Sequence, residues 1–263
     1  MSEPQNLFAD GKAYERMMGR WSRLVGEQFL DWLDTPRGLR WIDVGCGNGA
    51  FTEVLIARCA PSAVTGIDPS EGQLAYARTR PGASGAQFRI GSAVSLPFGD
   101  ASFDAAAMAL AITFIPDPLK AVAEMARVVR PGGLVATYMW DIPGGGLPAR
   151  PVAIAMKSLN LPAPTRINDD ASRRDTMEAL WRQAGLQSIE TTVIRIPVVF
   201  SGFDDFWDSF NVPVGPGGQA IAAMAPAVRD EFKACLRDLL PSDGSGRIAY
   251  EAFANAVKGR VAA

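Results

Sequence analysis

The chain has 263 residues, 48% of them hydrophobic and 21% charged, which excludes a disordered segment and leaves room for a sizeable core. Its 26 basic and 28 acidic residues give a formal charge of −2 with no lysine or arginine run, so nucleic acid is not an expected partner. Cys46, Cys59 and Cys235 are too scattered for a disulfide framework or a metal site, no apolar run reaches the ~18 residues of a membrane span, and the polar opening MSEPQNLFADGK is unlike a signal peptide, so a cytoplasmic protein without a metal is expected.

From Tyr14 to Leu33, apolar residues recur at three and four (among them Met17, Met18, Trp21, Val25 and Phe29), which predicts an amphipathic helix within residues 10–34. Arg16, Arg20 and Arg23 on it admit two readings, a carboxylate contact or a solvated face. Arg40 to Val44 reads as a short buried strand running into glycines, and Phe51 to Ala60 as a helix ended by Pro61. Ala63 to Ile67 is a second strand, Asp68-Pro69-Ser70 a turn, and Glu71 to Thr79 a helix. Gln87 to Ile90 and Phe103 to Ile112 follow as strands, the latter apolar enough to be buried on both faces. Asp117 and Pro118 then cap and open a helix whose expected inward face is Leu119, Val122, Ala126 and Val129. Arg127 and Arg130 suit the negative end of its dipole, Pro131-Gly132-Gly133 stops it, and Leu134 to Trp140 is the fifth strand. Such βα alternation implies a parallel sheet with ligand at the carboxyl ends of its strands.

Residues 143–185 read as a loop-rich connection carrying one helix, Thr176 to Ala184. Ser188 to Phe200 is β-branched and predicts a strand, with Pro197 placing it at an edge. Gly202 to Ser245 reads as an insertion, with an aromatic helix face at Phe203, Phe206, Trp207 and Phe210, a break from Pro213 to Gly218, and a helix through Leu239-Leu240. Arg247 to Val261 fits a last strand, with helix as the competitor. The fold class is therefore α/β: a Rossmann-like, doubly wound, mostly parallel seven-stranded sheet with helices on both faces and a helical lid at 202–245, in a single domain over 1–263.

Gly45, Gly47 and Gly49 follow a strand and open a helix, so backbone can approach a ligand where side chains would obstruct it. Asp68, 23 residues after Gly45, stands where a carboxylate can accept bonds from ribose hydroxyls. Gly45-x-Gly47-x-x-Ala50 also satisfies a dinucleotide fingerprint, which keeps a nicotinamide-dependent oxidoreductase open. Against it stands Asp43, a carboxylate two residues before the first glycine: a poor neighbour for a pyrophosphate and a good one for a ligand bearing an ammonium and a sulfonium. A bond to nearby loop amides is the other reading of Asp43.

Four segments in order resemble the class I S-adenosylmethionine-dependent methyltransferases, in particular the subgroup with a Leu-Pro-Phe segment before strand four. They are Trp41 to Gly49, Thr65 to Ser70, Leu96 to Asp104 and Arg127 to Gly133, within a cofactor-binding core at 38–142. The resemblance implies that Asp43, Gly45 and Gly47 hold the methionine end of S-adenosylmethionine, Asp68 the ribose, and Ile67 and Pro69 the adenosine. It places Ala109 and Leu110 under the methionine portion. Ser92 stands where an aspartate is common, and with the Ala93 backbone it would read the adenine. Arg20 is a further candidate for the cofactor. The family's chemistry is transfer of a methyl group to an acceptor, and a non-catalytic protein that keeps the cofactor pocket stays open beside it.

In-line transfer from a sulfonium relies on alignment and exclusion of water, so a chain without histidine can perform it. Where a base is needed, Asp117, Asp141, Tyr138 and Tyr14 are the candidates, each with a plain structural reading as a cap, a turn residue or packing. Phe114, Phe203 and Trp207 are candidate contacts for a small, partly apolar acceptor, and on that reading Trp207→Ala weakens acceptor binding more than cofactor binding. The acceptor, the atom that takes the methyl group and the oligomeric state are left open by these motifs. Cys46 reads as a small space-filling side chain.

Overall fold

Strand β1 (Arg40–Val44) is buried from Trp41 onward because a parallel strand on either side and helices above and below leave it no solvent face. The computed structural model describes residues 15–162 and 167–263. Around β1, strands β2 (Ala63–Asp68), β3 (Ala86–Ile90), β4 (Phe103–Ala109), β5 (Val129–Trp140), β6 (Gln187–Phe200) and β7 (Ile248–Arg260) form one sheet in the order β3-β2-β1-β4-β5-β7-β6. The first five strands run parallel, and β7 enters antiparallel between β5 and β6. The last segment is thus a strand and not the competing helix, and Pro197 lies on the outermost strand, where a missing N–H breaks no ladder.

Alternation along the strands sends neighbouring side chains to opposite cores. Trp41 and Ala105 join one cluster with Phe29 and Leu55, under α1 (Arg20–Leu33) and α2 (Ala50–Cys59). Ile42 and Ala106 join the other, under the helix Pro118–Val128 that becomes α4 after α3 (Glu71–Ala77). Among the described residues no helix is long and apolar enough to cross a membrane.

Several boundaries differ from the sequence reading for identifiable reasons. β4 stops at Ala109, and Ile112–Phe114 forms a 3-10 turn after Leu110, whose φ is +55°. The inward face of α4 is Ala121, Val122, Met125 and Val128, because the helix ends at Val128 and Val129 already begins β5. Pro131-Gly132-Gly133 lies inside β5, where the pairing with β4 shifts between Phe103 and Ala105. Arg127 does more than face a dipole: its guanidinium donates to the carbonyls of Leu96 (3.0 Å) and Phe98 (2.9 Å) and pairs with Glu124 and Asp100, tying the Leu96–Asp100 loop to α4. Two helices stand in stretches read as loop or break, α5 (Arg150–Ser158) and, after α6 (Arg174–Gln183) and α7 (Phe203–Phe210), α8 (Gly215–Ala222). Pro151 and Pro216 occupy their first turns, where the absent N–H has no helical partner to lose, so these prolines open helices. A last helix, α9 (Pro226–Leu239), packs against α5.

Trp181 of α6 is fully buried, and its indole N–H donates to the Val135 carbonyl at 2.9 Å, pinning α6 to β5. Trp181→Ala removes a large core side chain and this bond, and should cost about 3–5 kcal/mol of unfolding free energy with an unchanged urea slope. A loss below about 1 kcal/mol by urea titration would contradict this assignment.

Candidate functional site

The loop after β1 is held from below and from the side. The Gly45 and Cys46 amides donate to the Ile67 carbonyl at 2.7 and 3.0 Å, so the loop follows the end of β2. Gly45 has a φ of +73°, and a Cβ there would lie 2.8 Å from that of Ala111. Gly49 has a φ of +78° and would meet Ala77 of α3 at 2.9 Å. Both positions therefore require glycine on two counts, backbone conformation and space.

Asp68 closes the arrangement. One of its oxygens accepts from the Gly47 amide and the other from the Ser70 amide, each at 2.9 Å. Burial raises its pKa, and the Ser70 and Gly47 amides oppose that rise. An ionised carboxylate offers about four acceptor positions, more than these two amides use, and Asp68 lines the cavity.

Asp43 lies beneath the loop and is fully buried. The Thr52 hydroxyl of α2 donates to its Oδ2 at 2.6 Å, while Oδ1 is buried with no hydrogen-bond partner. Desolvation raises its pKa to about 7, the Thr52 bond lowers it, and the charge of Asp68 adds to the rise. Asp43 is thus a buried support of the loop, not a wall of the cavity, and its bond goes to a hydroxyl and not to loop amides.

The cavity has a volume of about 1000 Å³ and runs from the loop across the carboxyl ends of the parallel strands. Gly45, Gly47, Asp68, Pro69, Ala109 and Leu110 line one part of it. Phe114, Tyr138, Trp140, Arg150 and Asp169 line another, and Met17, Val214 and Ile221 border it from the N-terminal segment and α8. Val212 and Val214 pack with Met17, so the segment between α7 and α8 meets the N-terminal segment over the cavity.

Other residues singled out from the sequence lie elsewhere. Ile67 and Ala93 are buried in the core under α4, and Ser92 is exposed, its hydroxyl accepting from the Val94 amide at 3.4 Å. The Gly91 amide donates to the Asp68 carbonyl at 3.2 Å, which keeps this stretch next to Asp68 without putting it on the cavity wall. Arg20 turns away, stacking over Trp21 and Phe200 at 4.3 and 4.6 Å and facing Asp205 of α7 at 3.8 Å, so its carboxylate partner is in the protein. Asp117 caps α4 through the Lys120 amide at 3.0 Å, and Asp141 accepts from the Gly144 amide at 2.8 Å; neither lines the cavity. The Tyr138 ring does, but its hydroxyl stands against α1, where a Cβ on Gly26 would come within 3.1 Å of it. Tyr14 lies outside the described residues.

The aromatic face of α7 divides. Phe210 stacks on Trp21 at 5.7 Å and lines the cavity, and Phe206 packs on Phe200 at 5.1 Å. Trp207 faces Phe232 of α9 with Lys233 5.0 Å away, and Arg237 covers Phe203 at 4.3 Å. Phe203 and Trp207 therefore hold α7 to α9 and do not border the cavity, so Trp207→Ala acts on the stability of this helical unit. Sequence reasoning passed over Arg150 and Ile221, because both lie in helices read as loop or break. Cys46 is buried against the loop, with its thiol pKa pushed well up, first by burial and then by Asp43 and Asp68, as a space-filling side chain requires.

The fold of the chain is shared with solved structures. YcgJ from Bacillus subtilis superposes with a TM-score of 0.60 at 19% identity, over 91% of this chain and 99% of that one. A methyltransferase-domain family model matches residues 42–137. The chain is 34% identical to the O-methyltransferase cnsE of Penicillium expansum, over 62% of this chain and 57% of that protein. It is also 34% identical to the O-methyltransferase rstn1 of Aspergillus nomiae, over 67% of this chain and 75% of that protein. The chain belongs to the class I S-adenosylmethionine-dependent methyltransferase family.

The Asp43 pKa has a testable consequence. Its value of about 7 in the folded chain, against 3.8 for the free side chain, means that its contribution to stability is full below pH ~4 and is lost as pH rises through about 7. The loss amounts to roughly 4 kcal/mol at ~1.4 kcal/mol per pKa unit. Asp43→Asn should gain stability relative to the native chain between pH 5 and pH 8 in thermal melts. A difference that stays constant over that range would show that Asp43 is ionised in the fold throughout.

Proposed function

We propose that this chain transfers a methyl group from S-adenosylmethionine to an oxygen atom of a small, partly apolar acceptor. The observation that carries this reading is the single cavity that joins the Gly45–Gly47 loop and Asp68 to an apolar wall under α8. Likeness to two fungal O-methyltransferases supports oxygen as the receiving atom.

The residues fit the cofactor. Asp68 has lone pairs left for a ribose diol, and the buried Oδ1 of Asp43 puts an unsatisfied acceptor beneath the loop where a cationic ligand is favoured. A volume of about 1000 Å³ is at the upper end of the range for ligand pockets, so cofactor and acceptor can share it. When bound, S-adenosylmethionine supplies an activated methyl group on a sulfonium.

The chain's own residues do the rest by placement. The Gly45 and Gly47 backbone allows close approach, Asp68 fixes the ribose end, and Ala109 and Leu110 border the methionine portion. Met17, Val214 and Ile221 keep water from the acceptor, and Phe114, Tyr138 and Trp140 give it an apolar bed. Asp117 and Asp141 lie off the cavity, so neither takes the acceptor's proton.

Calorimetric titration with S-adenosylhomocysteine should show micromolar binding, weakened at least about tenfold by Asp68→Ala through loss of charge-assisted bonds. NADH should not bind. A single-turnover assay with methyl-labelled cofactor and a metabolite extract should label a small molecule. Binding without any labelled product would make the protein a sensor and overturn the enzymatic reading.

A further inference from the structure

The cavity carries one feature that cofactor binding leaves unexplained. Among the described residues, three that line it bear charge: Asp68, Asp169 and Arg150. Asp68 is engaged by the Gly47 and Ser70 amides, and Asp169 begins the 3-10 turn Asp169–Ser172 beside the end of β4, where the Asn168 amide donates to the Thr113 carbonyl at 3.1 Å. The guanidinium of Arg150, the exposed first residue of α5, has neither a hydrogen bond nor an ion pair among the described residues.

Its place in the sheet separates it from the cofactor end. The loop from Asp141 to Arg150 is clamped to β7, since the Asp141 amide donates to the Phe253 carbonyl and the Phe253 amide to the Gly146 carbonyl, at 3.2 and 2.9 Å. Two residues before Arg150, the Pro148 carbonyl accepts from the Tyr250 hydroxyl at 2.6 Å. Burial pushes the Tyr250 pKa up, and the positive charges of Arg150 and Arg20 oppose it, which places both cations at this end. Arg20 already faces Asp205, whereas Arg150 has no carboxylate partner among the described residues. From β1, which feeds the glycine loop, to β7 there are three strand spacings, roughly 14 Å at ~4.8 Å each.

We infer that Arg150 is a specificity-determining residue that anchors a carboxylate at the far end of the acceptor, whose nucleophilic oxygen lies toward the loop. The substrate class is an apolar molecule with a hydroxyl at one end and a carboxylate at the other. A guanidinium grips a carboxylate with two parallel bonds, and a neutral amide of the same shape cannot return that charge. Asp68 and Asp169 on the same cavity repel a dianion more than a monoanion, which favours a carboxylate over a phosphate beside Arg150. The anchored group is not the methyl acceptor, because it sits by β7 while the cofactor loop follows β1.

This inference rests on the methyltransferase reading for the identity of its substrate, and one experiment separates the two. Aryl and medium-chain alkyl hydroxy acids, each beside its amide and the matching phosphate, are titrated calorimetrically into the full chain with and without S-adenosylhomocysteine. At least one acid should bind about tenfold more tightly than its amide, and more tightly than its phosphate. Arg150→Met should erase that preference and leave S-adenosylhomocysteine affinity unchanged, and Arg150→Lys should keep part of it. Equal binding of acid and amide, binding of neither, preference for the phosphate, or loss of S-adenosylhomocysteine affinity in Arg150→Met would each overturn the assignment. If the native chain failed to bind S-adenosylhomocysteine yet preferred the acid, the methyltransferase reading would fall and the anion site would stand.

Discussion

Two amide hydrogen bonds to one carboxylate organise the site. Asp68 at the end of β2 receives the Gly47 N–H from the loop after β1 and the Ser70 N–H from the turn before α3, so a single side chain fixes two neighbouring crossovers. The loop amides of Gly45 and Cys46 add bonds to the carbonyl just before it, on Ile67. Removing the carboxylate would free both segments and delete the acceptor on the cavity wall, which is why binding and local order are coupled here. Asp43, one strand over, supports the same loop at the cost of a buried carboxyl with an unmet oxygen. An unmet acceptor under a ligand loop is unfavourable alone and becomes less so beside a cation.

The other half of the cavity is built from later parts of the chain. Trp21, Phe200 and Phe210 knit α1, β6 and α7 together, and cations from α9 cover the outer aromatics of α7. This unit is therefore fixed at its base, while the segment between α7 and α8 meets Met17 over the cavity through small apolar contacts. A firmly seated frame with a lightly packed border suits a site that must admit a ligand and then exclude water.

Much of this was legible in the sequence, for physical reasons. The cofactor half comes from short, doubly buried strands whose apolar runs are hard to read otherwise, and from glycines whose φ values admit few substitutes. Asp117-Pro118 opened its helix as read, because capping is a local interaction. Illegible parts depended on distant partners. The prolines of α5 and α8 read as breaks because their first-turn position is known only once the helix exists. Arg20 looked like a ligand contact until Asp205, far along the chain, proved to face it. Trp207 looked like a substrate contact because periodicity gives a face and not the neighbour it faces; that neighbour is Phe232. Arg150 could not be found at all without the loop that β7 clamps.

The most direct test of the account is a crystal structure of the chain with S-adenosylhomocysteine. The account predicts the ribose hydroxyls within hydrogen-bond distance of Asp68, with the Gly47 and Ser70 amides still on that carboxylate and the sulfur facing the volume between the loop and Arg150. Ligand placed away from Asp68, or a ribose held by other residues while Asp68 keeps only its two amides, would contradict it.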